Sequence, residues 1–466
     1  MPGVRRNTNA VWPPSTVPPN ETEGERLARL EQEEQAKRTS DAIDSQLRAE
    51  RDARKKSSVK ILLLGQAESG KSTMLKNFQL HFAPNAFTAE SEAWRPIIHL
   101  NLVRHVNFAV GIVSSDESLR PSSSGSKESG SSNDEVRRLC IKLSPLKRVE
   151  ESWTKYISGP DHAAIASHAE DGTVNNGSLA PPRAPEVYVR SGQGWRGLMR
   201  FRRQSESAPR PPEVVEDEQN RHILAACASD IIAFWQHPKV QRIMEDRKIG
   251  LRGEPGFFLD DVERIAAADY RPTPDDVVRA RVHTVGPEEH HIVLETAFEN
   301  GKVWTIYDVG GSRSQRAVWA QYFDDVHVVT FMAPISAFDQ FLVEDSSVNR
   351  LADTLELWRQ LCSNRLLENV EFILFLNKLD ILESKIKAGV KFVDFVTSYR
   401  QRPNEAKHIA KYLLEVFKGL HVQHSPKKRV VHPHLICAID TRATAAIITQ
   451  IQEVILLKAL SSTNII

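Results

Sequence analysis

The sequence predicts an α/β domain interrupted by an all-helical one, and three observations carry that expectation. The first is the junction SVKILLLG, QAESGKST, MLKNFQLHF, where an aliphatic run gives way to a glycine-bearing loop and then to residues at helical spacing. The second is the alternation that resumes beyond Arg279: HIVLETAF, KVWTIYDV, VHVVTFM, VEFILFLNK and HLICAID read as strands, and LADTLELWRQLC, NEAKHIAKYLLEVFKGL and TAAIITQIQEVILLKAL as helices. The third is the stretch between them, where HLNLVRHVNFAVGIV, ILAACASDIIAFWQHPKVQRIM and FLDDVERIAAADY each read as a helix and no strand is expected. Residues 58–82 and 276–466 therefore form one α/β domain in two pieces, with a helical domain, 83–275, inserted between them.

The remaining segments differ in composition. Residues 1–20 are proline-rich and polar and read as a disordered leader, and 21–57 as a charged helix with few apolar positions, held by docking or by its own ion pairs. Stretches at about 114–135 and 158–220, rich in Ser, Gly, Pro and charge, read as disordered insertions. With 466 residues and 41% hydrophobic content the chain can bury a substantial core. Lys plus Arg is 61 against 60 for Asp plus Glu, a balance that argues against nucleic-acid binding through bulk charge. The 4 cysteines, Cys140, Cys227, Cys362 and Cys437, are scattered without a CxxC pair, which points to ordinary thiols in a reducing compartment and to no zinc site. No run of about 18 apolar residues occurs, so neither a signal peptide nor a transmembrane segment is expected and the chain reads as cytoplasmic.

The chemistry lies in short motifs at strand ends. Gly65-Gln-Ala-Glu-Ser-Gly70-Lys71-Ser72 fits GxxxxGK[ST]: loop N–H groups at a helix N-terminus surround phosphate oxygens, Lys71 neutralises β/γ charge, and Ser72 offers a hydroxyl to Mg²⁺. Asp308 ends a strand where an acidic residue can hold Mg²⁺ through water, and Gly310-Gly311 lets the backbone approach a γ-phosphate. Asn377-Lys378-Leu379-Asp380 closes the strand FILFLNK. A carboxylate at Asp380 accepts N1–H and N2–H of guanine but meets no such donors on adenine, and Lys378 can lie over the ring. Cys437-Ala438 would put a backbone N–H at the guanine O6. A metabolic P-loop kinase is the competing reading, and NKLD has no role there.

GQAESGKST, RARVHTVG, DVGGSRSQR, NKLD and CAIDT, in that order and with a helical insertion between the first two, resemble the alpha subunit of a heterotrimeric G protein. DSQLRAER, FLDDVERIAAADYRPTPDDVVRARV and VEDSSVNRL, the last similar to a third switch, extend the likeness over roughly residues 40–466 apart from the insertions. The resemblance implies a P-loop GTPase domain with a mostly parallel six-stranded sheet, GTP or GDP as bound nucleotide with Mg²⁺, and hydrolysis of GTP. It implies nucleotide contacts from Gly65, Gln66, Ala67, Glu68, Ser69, Gly70, Lys71, Ser72 and Thr73, from Val278, Arg279, Ala280, Arg281 and Thr284, from Asp308 and Gly311, and from Asn377, Lys378, Asp380, Cys437 and Ala438. By position Arg281 resembles the arginine supplied in cis to the transferring phosphoryl group. Thr284 resembles the switch threonine that joins Ser72 on Mg²⁺, with Asp308 reaching the ion through water. A beta-gamma dimer, a G-protein-coupled receptor engaged through the C-terminal helix, and an effector engaged through the switches are the implied partners. Peripheral residence at the inner face of the plasma membrane follows from them.

Several positions depart from the family. Ser312 stands where the family has the glutamine that orients the attacking water, and its hydroxyl is too short to span from backbone to an in-line water as an amide does. Ala67 replaces a phosphate-loop glycine, and its methyl crowds the transition state more than bound GTP. Both changes predict slow hydrolysis, or effectively lost hydrolysis in a GTP-binding interaction protein; a neighbouring amide, Gln66 or Gln315, is the alternative that would compensate. Ala317-Val318 replaces the basic pair expected before Trp319, and Gln315 replaces an acid, which weakens the expected beta-gamma docking. Pro2 and the lack of a cysteine before Cys140 remove the family's usual lipid anchors, the tail STNII lacks its usual glycine and cysteine, and GLRGEPGFF replaces a segment that usually brings polar contacts across the nucleotide.

Overall fold

The computed structural model describes residues 22–24, 26, 35, 37–41, 43–45, 57–117, 127–158, 188–190, 212–247, 249–296, 300–342 and 344–462. The expected leader lies outside the described residues. By its contacts the chain divides into Met1–Ser57 and Ser58–Ile466. In the first unit the described residues between 23 and 45 are helical and exposed, and Thr39 Oγ1 donates to the Gln35 carbonyl at 2.9 Å, one turn back.

The second unit is built on a six-stranded sheet. Its strands are β1 (Ser57–Gly65), β4 (Glu288–Val293), β5 (Val303–Asp308), β6 (Val328–Pro334), β7 (Glu371–Asn377) and β8 (Val431–Leu435), in the order β4-β5-β1-β6-β7-β8; β2 (Tyr188–Arg190) and β3 (His283–Val285) pair apart from it. β6 runs parallel to β1 and to β7, and β7 to β8, whereas β4 and β5 are antiparallel. The run KILLLG is apolar throughout because β1 is covered on both faces. Val59, Ile61 and Leu63 pack with Met74 and Phe78 of the helix Lys71–Phe82 and with Ile448 and Ile451 of Thr441–Ser462. Leu62 and Leu64 face the opposite core, which contains Trp358 and Phe417. The parallel strands bring Gly65, Pro334, Asn377 and Leu435 to one end of the sheet, so the motifs that follow them meet there.

The inserted helices have their own core, with Trp153, Phe234 and Phe258 fully buried. The segment Pro84–Ser114 is long and apolar enough to cross a membrane by composition, but 72% of its most apolar window is buried within the protein.

Expectations for this region need correction. FLDDVERIAAADY is not one helix: a short 3₁₀ turn, Leu259–Asp261, leads into the single turn Val262–Ile265. Its charged side chains are drawn into distant pairs instead, Asp260 accepting from Trp235 Nε1 at 2.8 Å, Asp261 from Arg279 at 2.8 Å, and Arg264 forking onto Asp276 at 2.7 Å on each arm. The expected continuous helix through ILAACASDIIAFWQHPKVQRIM breaks at His237, which is extended (φ −64°, ψ 125°) before Pro238. Its Nδ1 accepts from the Lys239 N–H and caps the second helix.

Neither insertion has the limits read from composition. A helix, Lys127–Lys142, begins inside the first, because Val136 and Leu139 reach the helical core. The helix Pro212–Gln236 begins inside the second, tied down where Trp153 Nε1 donates to Asp217 at 2.9 Å and Asn220 donates to Ser152 at 2.6 Å. β2 also lies within it and pairs in parallel with β3, Val189 opposite Thr284.

Candidate functional site

The phosphate loop is held in a shape that side chains would prevent. At Gly65 (φ +143°) an added Cβ would meet the Met332 carbonyl oxygen at 2.5 Å, and at Gly70 (φ +104°) it would stand 2.3 Å from Asn377 Nδ2. Glu68 between them is also left-handed, φ 59°. Gly70 enters the helix Lys71–Phe82 without a side-chain cap, and the first turn carries no acidic residue. The helix N-terminus thus offers its amides and dipole to an anion.

Lys71 is buried and folds back over the loop, its Nζ donating to the carbonyls of Gly65 (3.0 Å) and Gln66 (2.8 Å). Burial pulls its pKa down to about 8, with Asp308 pulling the other way. Ser72 Oγ donates to Asp308 Oδ2 at 2.7 Å. Burial pushes the Asp308 carboxyl up, while Lys71 and Ser72 favour its charged form. A hydroxyl and a carboxylate converging at the floor of the cleft are hard oxygen donors of the kind Mg²⁺ takes together with phosphate oxygens. Among the described residues no group of three or more His, Cys, Asp or Glu side chains gathers to hold a metal by itself, so an ion here would depend on nucleotide oxygens. The residues present fit the ion in that form.

These groups line a cavity of ≈ 580 Å³, together with Ala67, Arg281, Gly311 and Gln315. Arg281 enters from the helical side, its Nη2 3.4 Å from Glu68 Oε1, and its backbone is held at both ends by one amide: Asn101 Nδ2 donates to the Arg281 carbonyl at 2.9 Å and Oδ1 accepts the Arg281 N–H at 2.8 Å. Arg279 also lines the cavity and is tied to Asp261 and the Phe257 carbonyl, whereas Val278 does not line it and packs on Phe87 and Val277. Thr284 lies in β3.

Gly311 is the point of closest approach between the strand end and the loop: a Cβ there would meet the Ala67 nitrogen at 2.4 Å. Beyond it Arg316 donates from Nε to the Gly311 carbonyl at 3.2 Å and forks onto Asp353. Ser312 does not line the cavity; its hydroxyl donates to Gln315 Oε1 at 2.8 Å. Gln66 is buried and turned away, its Nε2 donating to the Arg350 carbonyl at 2.9 Å and to Asp353.

The base motif assembles around Asn377, which donates from Nδ2 to the Ser69 carbonyl at 2.8 Å and accepts the Ala438 N–H on Oδ1 at 3.0 Å. One side chain thereby joins the phosphate loop to the Cys437-Ala438 turn. Lys378 is left-handed (φ 67°), and Asp380 falls in the first turn of the helix Leu379–Lys387. Burial, then the Asp380 carboxylate, push the Cys437 thiol up to about 12.

Three further residues of this site carried little sequence signal, Arg350 only through its place in VEDSSVNRL. Arg350 holds Glu68 Oε2 at 3.0 Å and the Ala67 carbonyl at 2.7 Å, and Asp353 gathers Arg316 and Gln66. Asn101 had one faint signal, a polar residue in the midst of the apolar run HLNLVRHV.

Comparisons with known proteins agree with this geometry. The profile of the G-protein alpha subunit matches residues 37–455. The guanine nucleotide-binding protein alpha-4 subunit of Mycosarcoma maydis is 29% identical across 96% of this chain and 94% of its own length. The alpha-1 subunit of Oryza sativa subsp. indica is 29% identical across 80% of both, and the alpha-8 subunit of Caenorhabditis briggsae 34% identical across 52% of this chain and 64% of its own.

Proposed function

The chain belongs to the G-protein alpha-subunit family of guanine-nucleotide-binding signalling proteins, and from that premise we propose that it is a switch with an unusually long-lived GTP state. GTPase activity belongs to the family generally; slow turnover is the reading specific to this sequence. The observation that carries it is at Ser312, whose hydroxyl is bonded to Gln315 and does not line the cavity, so the family's amide is missing from that wall.

In this reading the loop N–H groups and Lys71 bind the β- and γ-phosphates, the Gly311 N–H faces the γ-phosphate, and Arg281 moves from Glu68 onto the charge that builds up during transfer. Ser72, Thr284 and Asp308 would hold Mg²⁺, which would supply neutralisation of the phosphate charge. Asn377 ties the Cys437-Ala438 turn to the phosphate loop, the Ala438 N–H would exchange its Asn377 Oδ1 acceptor for guanine O6, and Asp380 selects guanine through its paired N–H donors. The Ala67 methyl, on the cavity wall, adds crowding where the water must stand. Loss of one positioning group of this kind costs about two orders of magnitude in rate.

Partners follow the same reading. The switches around Gly311 and Trp319 would meet an effector, the helix Thr441–Ser462 a membrane receptor, and a beta-gamma dimer would bind weakly because Ala317 and a half-exposed Val318 stand where basic side chains are expected. Such partners would bring the protein to the inner face of the plasma membrane as a peripheral component.

The test is single-turnover phosphate release from protein loaded with Mg²⁺ and GTP. Wild type should be slow, and Ser312→Gln with Ala67→Gly should be faster by at least about tenfold. Equal rates would sink the reading. A wild type that binds GTP and releases no phosphate would instead favour an interaction protein whose hydrolysis is lost.

A further inference from the structure

We propose that Gln315 is the residue that holds the attacking water, and that Ser312 is its positioning residue. The proposal rests on the GTPase reading above and names the group through which hydrolysis proceeds.

The backbone supplies the reason. Immediately after Ser312 the chain enters the 3₁₀ helix Arg313–Tyr322, and the Gln315 N–H closes its first turn on the Ser312 carbonyl at 3.0 Å. Ser312 is the N-cap of that helix, extended at φ −67° and ψ 155°, and Gln315 is the third residue inside it, the two positions that pair in a capping box. Here the side chains bond each other, Ser312 Oγ donating to Gln315 Oε1 at 2.8 Å. The serine cannot reach the water itself, but it can fix the amide that does.

Where that amide sits is set by Gly310. A Cβ built on Gly310 would come within 2.1 Å of Gln315 Oε1 and 2.9 Å of Nε2, so the amide lies directly over this glycine. Gln315 lines the same cavity as Lys71, Asp308, Arg281 and Gly311, and Ser312 does not. Among the described residues Gln315 Nε2 makes no hydrogen bond, and Oε1 keeps a second lone pair. An amide so held can accept one hydrogen of a water and donate to a γ-phosphate oxygen, the two contacts an in-line nucleophile needs. The other nearby amide, Gln66, is committed to Asp353 and the Arg350 carbonyl.

The step balances without a further reagent. The water oxygen forms the new bond to the γ-phosphorus, the bond from that phosphorus to the β–γ bridging oxygen breaks, and that oxygen leaves with GDP. The water proton ends on the released phosphate. Because the amide is carried from the next turn and steadied by a side-chain bond in place of its own backbone, turnover is slower than with glutamine at 312 but not abolished.

The test compares wild type, Gln315→Ala, Gln315→Glu and Ser312→Ala in two assays. One is single-turnover phosphate release. The other is the affinity for Mg²⁺, GDP and AlF4⁻ against that for GTPγS, read from the emission of Trp319, which is buried and donates from Nε1 to the Gly310 carbonyl at 2.8 Å. Gln315→Ala and Gln315→Glu should each lower the hydrolysis rate and the AlF4⁻ affinity at least about tenfold while GTPγS affinity holds, and Ser312→Ala should show a smaller loss of the same two quantities. If Gln315→Ala hydrolyses GTP and binds AlF4⁻ as wild type does, the assignment of Gln315 is overturned and the GTPase reading stands. If wild type binds GTPγS but neither hydrolyses GTP nor responds to AlF4⁻, both are overturned.

Discussion

Arg316 grips Asp353 with both arms of its guanidinium, Nη1 to Oδ1 at 3.0 Å and Nη2 to Oδ2 at 2.6 Å, while its Nε holds the Gly311 carbonyl. Burial alone would push the Asp353 carboxyl up, but the hydrogen bonds from Arg316 and Gln66 outweigh it and hold the pKa below the usual carboxylate range. Both ions are largely shielded from water, 15% and 8% exposed, so removing one partner strands the other. Asp353→Ala should lower unfolding stability by about 3 kcal/mol and Gln66→Ala by about 1 kcal/mol. The double variant should lose less than the sum, since both act on one carboxylate. Urea unfolding of the GDP-loaded protein checks the series; strictly additive losses would mean that Gln66 stabilises something other than Asp353.

Asn101 reaches Arg281 across 180 positions of sequence and bonds both its backbone N–H and its carbonyl. In the proposed mechanism Arg281 moves onto a developing charge, which needs a fixed base, and this amide would supply it. Asn101→Ala should slow single-turnover hydrolysis by about one to two orders of magnitude with GTPγS affinity little changed, because a displaced group is lost from the transition state more than from the ground state. Arg281→Ala should lose at least as much. An unchanged rate in Asn101→Ala would show that Arg281 is held by other contacts.

What could be read from the sequence has a common physical character. GQAESGKST, DVGG and NKLD are legible because each is a short backbone geometry at a strand end, and glycine at 65 and 70 is required by close approaches to Met332 and Asn377. The sheet was legible because KILLLG and FILFLN are buried on both faces and leave no alternation to mistake. The pairs that complete the site were not: Gln66 with Asp353 and Arg350 with Glu68 join residues 287 and 282 positions apart, and no local pattern marks them. FLDDVERIAAADY misled for the related reason that Asp260, Asp261 and Arg264 are spent on distant partners. Ser312 was legible as a departure, and only the 3₁₀ turn reveals what stands beside it.

Gly70 is constrained both by its own backbone and by the side chain above it. Its φ of +104° disfavours any L side chain, and a methyl would displace the Asn377 amide that holds the Ser69 and Ala438 backbones together. Strain of about 1 to 3 kcal/mol should appear in binding as a loss of about tenfold to a hundredfold in affinity for both GDP and GTPγS. Fluorescent-nucleotide titration of Gly70→Ala beside Asn377→Ala tests the linkage. The two variants should weaken binding together and combine less than additively; a Gly70→Ala protein with native affinity would contradict it.

The helical domain carries a pH dependence of its own at His99. The imidazole is 2% exposed between the rings of Trp153 and Tyr270, with Nε2 3.1 Å from the Ile265 carbonyl oxygen. Burial drives its pKa down from 6.5 to about 3, with the Ile265 bond opposing. The folded protein therefore keeps this ring neutral where the unfolded chain protonates it. Between pH 6.5 and about 3 the unfolded state binds the extra proton, so stability rises with pH through that window, is fully present above 6.5, and falls by about 1.4 kcal/mol for each unit of acidification inside it. His99→Gln can keep a donor to the Ile265 carbonyl and has no proton to gain. Urea unfolding of both proteins at pH 8, 7, 6 and 5 isolates the effect, because every other titrating group is common to the two. The stability of wild type relative to His99→Gln should be constant at the alkaline end and decline with that slope below pH 6; a difference that stays flat to pH 5 would mean that His99 takes up its proton in the folded state as readily as in the unfolded one.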